Sequence, residues 1–199
     1  MALRSISDIR RQELRAAAFR VLQREGAVGT TLEKVAAEAG ASKGIVLHYF
    51  RSKDELFEQA MREANLALRD RVIARLRPAK TPRERLGAII GGNFEEGFYC
   101  IPVARAWLSL CAEVPRNPAL ARIQRVIHAR MHSNLVAALA EIVPAPAASG
   151  IALTLSALTD GLWLRLAISA DAPSPAAAEA LVQGQLDATL AAYPGWDGA

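Results

Sequence analysis

The 199-residue sequence is short of the residues that build sheets and cross-linked scaffolds. Cys100 and Cys111 are its two cysteines and stand apart without metal-ligand spacing, so two reduced thiols in a cytoplasmic protein are expected, a disulfide being the alternative. Aromatic residues make up 6% of the chain, and β-branched residues are few beside alanine and leucine, which argues against a sheet and for an all-α fold. The N-terminus is charged from Arg4 onward and has no apolar core segment, so no targeting peptide is expected. Nucleophile elbow, phosphate-binding glycine loop and carboxylate dyad are all missing, which leaves an enzyme reading without support and calls for no cofactor. One apolar run, Ile151 to Ala170, is long enough to suggest a membrane span. Asp160 and Arg165 near its middle would each cost about 2.5–3.5 kcal/mol at a bilayer centre, so a buried soluble helix is the expectation.

What is present is apolar bulk and an uneven charge. Hydrophobic residues are 52% of the chain, enough for a substantial core. The net charge is +4, and residues 1 to 53 alone carry ten Lys/Arg against five Asp/Glu. A basic N-terminal quarter fits a segment that meets phosphate, and an ordinary solvated surface is the alternative.

Within that quarter, Thr31 to Phe50 reads as two short helices about a glycine break at Gly40-Ala41. This is the pattern of a helix-turn-helix, whose second helix offers its outer face to a DNA major groove. Asp8 is expected to cap a first helix with Leu14, Ala17, Ala18, Val21 and Leu22 inside and Arg11, Arg15, Arg20 and Arg24 outside. Thr30 or Thr31 caps the second, with Leu32, Val35, Ala36 and Ala39 inward. Ser42 caps the third, with Val46 and Phe50 inward and Lys43, Gly44, Ile45, Leu47, His48 and Tyr49 outward. Ser52 starts a fourth, longer helix that runs to about Arg77 and can carry a displacement.

The spacing predicts three parts: a helix-turn-helix domain over 1–53, a connecting helix over 54–77, and a helical domain over 78–199. In the last part, Thr81 and Pro82 open a helix to Gly97 carrying Asn93 and Phe94 on one face. Others follow over Pro102–Val114 and Pro118–Val143, then a loop from Pro144 to Gly150, the apolar helix, and a final helix over Pro175–Tyr193. The apolar helix and the small-residue surface of the last one (Ala176, Ala177, Ala180, Leu181, Gly184) predict a homodimer closed by these two helices, with simple absorption into the core as the alternative.

Residues Thr31 to Gly44, then His48-Tyr49-Phe50 and Lys53-Asp54-Glu55-Leu56, resemble the DNA-binding domain of TetR-type repressors. A narrower resemblance covers most of the chain. Ser42-Lys43-Gly44-Ile45, Gly91-Gly92-Asn93-Phe94-Glu95, Ala106-Trp107-Leu108 and Thr159-Asp160-Gly161-Leu162-Trp163-Leu164-Arg165 are similar to the choline-responsive repressors of glycine-betaine synthesis within that family. The resemblance implies a dimer on double-stranded DNA at a palindromic operator, with 78–199 as its ligand-binding and dimerisation domain. Lys43, Gly44, Ile45, Leu47, His48 and Tyr49 then face the groove, and Thr31 and Lys53 meet phosphates. A capping threonine offers a hydroxyl and an N–H to phosphate, and Lys53 sits at a helix N-terminus, which adds partial positive charge. Gly44 lets the backbone approach closely. Lys43 is the expected reader of guanine acceptors and Ile45 of a thymine methyl, while His48 and Tyr49 are open between base reading, phosphate contact and a contact with each other. Arg4, Arg10 and Arg11 are open between tracking the backbone or the minor groove and an ordinary solvated basic face.

For the effector, the resemblance implies a small choline-like quaternary ammonium. Such a cation has no N–H to donate, so its receptor needs aromatic faces and a nearby carboxylate. The expected ligand residues are Asn93, Phe94, Trp107, Asp160 and Trp163, with Phe98, Tyr99, Glu95 and Glu113 near them in sequence. Two readings of the tryptophans stay open: cation cage and plain core. A regulator sensing another lipophilic cation or an apolar metabolite, and an effector-free DNA-binding scaffold, are the rival functions. His128 and His132 stand four apart, a possible metal pair, but no third ligand joins them at ligand spacing, and surface histidines are the reading preferred.

Overall fold

The computed structural model describes residues 5–193, among which there are nine helices and no strand. In order they are α1 (Ile6–Gly29), α2 (Leu32–Glu38), α3 (Lys43–Tyr49), α4 (Lys53–Leu76), α5 (Pro82–Gly91), α6 (Ile101–Glu113), α7 (Pro118–Leu139), α8 (Ala145–Ile168) and α9 (Pro175–Leu190). The expected all-α class is what forms. Arg4 and the tail from residue 194 lie outside the described residues.

The chain divides into two compact units, residues 1–66 with 102–124, and residues 67–101 with 125–199. They are drawn differently from the sequence segments 1–53, 54–77 and 78–199. The helix expected to connect two parts contributes its N-terminal half to one unit and its C-terminal half to the other, and most of α6 belongs to the first.

In the first unit, α1 packs on α2 and α2 on α3. Leu14, Ala17, Ala18, Val21 and Leu22 from α1, Val35 from α2, Val46 from α3, Phe50, and Leu56 and Ala60 from α4 are buried. The cap of α1 corrects the expectation at Asp8. Ser5 is the N-cap, its Oγ accepting from the Asp8 N–H at 3.1 Å, and Asp8, the third residue of the helix, completes a capping box. Gly26 breaks α1 near its end at φ +67, and Thr30 donates its hydroxyl to the Gly26 carbonyl at 2.7 Å. Of the two threonines, Thr31 caps α2, accepting from the Lys34 N–H at 3.3 Å. Gly40 ends α2 at φ +58, with Ala41 N–H bonded to Ala36 O at 2.8 Å and Gly40 N–H to Ala37 O at 3.2 Å. That pair of bonds is a Schellman closure, and it needs a residue at ease in the left-handed region.

In the second unit, α5 packs on α9 and α8 on α9. Thr81 and Glu84 form a second capping box at α5. Two ends differ from expectation. α5 stops at Gly91 rather than Gly97, and Phe94 therefore lies in a turn, still buried at 2% exposure. α8 begins at Ala145, so the expected loop from Pro144 to Gly150 is its opening turns. Proline costs little in a first turn, and the alanines at 145, 147 and 148 are strong helix formers. α7 closes at Leu139, a turn earlier than expected. α8 is long and apolar enough to cross a membrane by length and composition. Ala148, Ile151, Ala152, Leu155, Thr159 and Leu162 make it a core helix on one side.

The glycine pair at the end of α5 is a contact device. A Cβ on Gly92 would stand 2.6 Å from Val72 Cγ2 and 3.1 Å from its Cα, and one on Gly91 would collide with the Arg75 guanidinium and the Glu179 carboxylate. The absence of side chains at both positions lets Val72 and Arg75 of α4 approach the end of α5 closely.

Candidate nucleic-acid interface and effector site

The third helix is short and two-faced. Val46 and Phe50 are fully buried, while Lys43, Gly44, Ile45, Leu47 and His48 are exposed and Tyr49 is half-buried. Ser42 fixes its start by accepting from the Ile45 N–H at 3.3 Å. Ile45 and Leu47, 40% and 43% exposed, spend apolar surface on solvent, which fits a face built to be covered. The His48 and Tyr49 rings meet edge to face at 5.2 Å between centroids, the mutual contact among the three readings of that pair.

The cations around this helix are partnered. Lys43 pairs with Glu33, and its hydrogen bond, with those of the Glu33 N–H and the Thr31 hydroxyl, pulls the exposed Glu33 carboxyl down to about 2. Arg11 donates to the Tyr49 carbonyl at 3.3 Å, lies 3.4 Å from Glu55 and sits over the Phe50 ring at 5.7 Å, so it ties α1 to the end of α3. Arg10 pairs with Glu13, and Arg20 and Arg24 with Glu38. Lys53 stands over the Phe57 ring at 5.1 Å at the start of α4, whose first turn also carries Asp54 and Glu55. Arg51, exposed between α3 and α4, is a further cation beside these positions.

The second unit brings four aromatic side chains together. Phe94 meets Tyr99 at 5.1 Å, Tyr99 meets Trp163 at 5.1 Å, and Phe98 meets Trp163 at 5.4 Å, each edge to face. All four are buried, and burial raises the Tyr99 phenol above its ordinary range. The turn after α5 positions three of them. Phe98 and Tyr99 N–H groups both bond the Glu95 carbonyl, and Gly97, just before Phe98, takes φ +77. Asn93 is buried and donates to Ile89 O at 2.9 Å, so its amide ties the turn to α5. The Glu95 carboxylate lies beside this cluster, 2.9 Å from Arg71 Nε and 3.9 Å from Arg75 Nε, and the Arg71 guanidinium covers the Phe98 face at 4.4 Å.

Of the expected ligand residues, Asn93, Phe94 and Trp163 thus share one neighbourhood. Asp160, one turn before Trp163 on α8, has its carboxyl raised by burial, an effect opposed by His128 at 3.6 Å. Trp107 is half-buried on α6 and belongs to the first unit. His132 lies 3.4 Å from Ser149, and among the described residues no group of three His, Cys, Asp or Glu gathers as for a metal. Arg71 escaped the sequence reading: on a charged helix its only signal was the four-residue spacing to Arg75.

A compact three-helix unit with an exposed, two-faced third helix is a helix-turn-helix DNA-binding module. Residues 14–60 match the family described as bacterial regulatory proteins, tetR family, and residues 82–191 match BetI-type transcriptional repressor, C-terminal. The curated HTH-type transcriptional regulators BetI of Burkholderia cenocepacia (strain HI2424) and Burkholderia pseudomallei (strain 668) are each 40% identical, over 92% of this chain and 95% of their own. Among solved structures, a transcriptional regulator from Rhodococcus sp. Rha1 is similar at TM-score 0.82 and 28% identity, covering 92% of this chain and 97% of that one. A regulator from Saccharomonospora viridis in complex with choline is similar at TM-score 0.78 and 21% identity, covering 89% and 95%, a likeness of fold. The chain belongs to the TetR family of transcriptional regulators, among its BetI-type repressors.

Proposed function

We propose that this repressor answers to choline or a closely related quaternary ammonium and governs genes of choline and glycine-betaine metabolism or transport. The observation that carries the reading is the cluster of Phe98, Tyr99 and Trp163 beside the Glu95 carboxylate, where a cation already rests on an aromatic face. Aromatic faces with a carboxylate are the recognition set for a cation without N–H donors. The choline held by the Saccharomonospora viridis regulator and the BetI-type C-terminal match support the same chemistry.

In this reading the protein is a cytoplasmic, non-enzymatic homodimer. Leu153, Leu164 and Ile168 line one exposed face of α8, with Leu181 exposed on α9, and apolar surface of this kind supports a subunit contact. Each subunit sets Lys43, Gly44, Ile45, Leu47, His48 and Tyr49 into a major groove, with Thr31 and Lys53 on flanking phosphates, at a palindromic operator. Phe94 and Trp163 with Asp160, Asn93 and Trp107 are the candidate effector residues. Choline releases the operator only if it binds the DNA-free conformation more tightly, since equal affinity for both would shift nothing.

The test is to titrate choline into the protein bound to a promoter fragment from its own locus, followed by fluorescence anisotropy. Release by choline and not by an equal concentration of sodium chloride supports the reading. Release by an apolar metabolite alone, or by nothing, would replace it with a different effector or with an effector-free DNA-binding protein.

A further inference from the structure

We infer that Arg71 is a built-in occupant of the effector site, an internal cation that an incoming quaternary ammonium must expel. The inference rests on the cation-sensing reading above and assigns its switch.

Three observations place Arg71 there. Its guanidinium carbon is 4.4 Å from the centre of the Phe98 ring, the position a bound cation takes on an aromatic face. Its Nε is 2.9 Å from a Glu95 oxygen, so it also holds a carboxylate beside the cluster. The rings are also packed edge to face, Phe98 on Trp163 at 5.4 Å and Tyr99 on Trp163 at 5.1 Å. A further cation therefore finds the Phe98 face taken and the Glu95 charge already shared by two guanidiniums, to whose repulsion it would add. Choline and the Arg71 head group exclude each other.

Arg71, its side chain 32% exposed, is also loosely anchored. Its Nε is buried without an aligned hydrogen-bond partner, so the approach to Glu95 is by charge alone, and its one well-formed bond runs to Ala67 O at 2.9 Å on its own helix. A half-satisfied guanidinium is cheaper to expel than a fully bonded one. The charged groups facing it are few. Glu95 is shared with Arg75, which keeps a second partner in Glu179 at 3.3 Å, so Arg75 stays in place when Arg71 leaves. Expulsion thus removes one of the ties between α4 and the turn after α5 while the glycine contact at Val72 persists. Because Arg71 is on α4, ligand entry acts on that helix without an intermediary.

The experiment titrates choline, and tetramethylammonium as the minimal probe, into the wild-type protein and the Arg71→Gln and Arg71→Lys variants, by calorimetry and tryptophan fluorescence, with folding checked by circular dichroism. Vacating the site should tighten binding of both cations about tenfold in Arg71→Gln and leave Arg71→Lys near wild type. Arg71→Met, which keeps the apolar stem, gives the same measurement if the glutamine variant is unstable. Wild-type binding with no gain, or a loss, in the neutral variants overturns the role of Arg71 and leaves the cation-sensing reading standing. Binding of neither cation by any folded variant overturns both.

Discussion

The phenol hydroxyl of Tyr99 donates to the carbonyl of Leu162 at 3.1 Å, joining the turn after α5 to the middle of α8. The Leu162 carbonyl lies inside α8, where the helix supplies it a donor of its own, so Tyr99→Phe removes a net hydrogen bond without orphaning a buried acceptor. The expected cost is about 1 kcal/mol, read as a lower urea midpoint with an unchanged slope. The alkaline limb carries a second signature. The folded phenol titrates above its ordinary value because it is buried. The stability linked to this is present below the unfolded phenol value of about 10 and is lost as pH rises through the raised folded value. Tyr99→Phe should flatten that alkaline decline in thermal stability.

Gly92 and Gly91 should respond unequally to alanine. At Gly92 the new methyl meets Val72, including its backbone, so α4 and α5 must separate, at a cost of about 1–3 kcal/mol. At Gly91 the methyl meets the movable ends of Arg75 and Glu179. Gly91→Ala should therefore be the milder change in urea unfolding, and equal losses would show that the α4–α5 approach is looser than the structure has it.

Gly40→Ala tests the turn of the DNA-binding module. At φ +58 there is open space for a methyl but a backbone penalty, so the expected loss is about 1 kcal/mol with no clash. Far-ultraviolet dichroism during thermal unfolding reads it directly, and an unchanged midpoint would mean the turn relaxes at no cost.

Lys43 and Glu33 predict behaviour in acid and on DNA. Glu33 is held at about 2, first by Lys43, so the pair lends stability above the ordinary carboxyl value and loses it as pH falls toward 2. A carbon-detected titration of Glu33 should move back toward the ordinary range in Lys43→Ala. The same variant should lose about 1–3 kcal/mol of discrimination at one base pair of the operator. An unchanged sequence preference would remove Lys43 as a base reader.

The helix-turn-helix was legible because its signals are local. Thr31, Ser42 and Thr81 cap within three residues of themselves, and Gly40 closes its own turn. Local signals also misled. Asp8 resembles a cap but is the far member of a box whose first member is Ser5, and Pro144 and Pro146 suggested a loop where the helix tolerates them. The effector region was legible only in composition. The sequence offers Phe94, Phe98, Tyr99 and Trp163, while their meeting depends on where α5 stops and on the left-handed step at Gly97. Arg71 was invisible because its meaning comes from a ring and a carboxylate supplied by a distant turn.

The carboxylate of Glu33 bears on how DNA affinity responds to salt. It holds Lys43, and the Thr31 hydroxyl also contributes to its lowered pKa, so two groups proposed to meet DNA already have an anionic partner in the free protein. A lysine that leaves a carboxylate for a phosphate also leaves that carboxylate's charge beside the duplex, which offsets part of the neutralisation that drives counterion release. Arg20 and Arg24 on Glu38 stand under the same exchange. The slope of log affinity against log salt should therefore report fewer phosphate contacts than the ten basic residues of the first quarter would suggest.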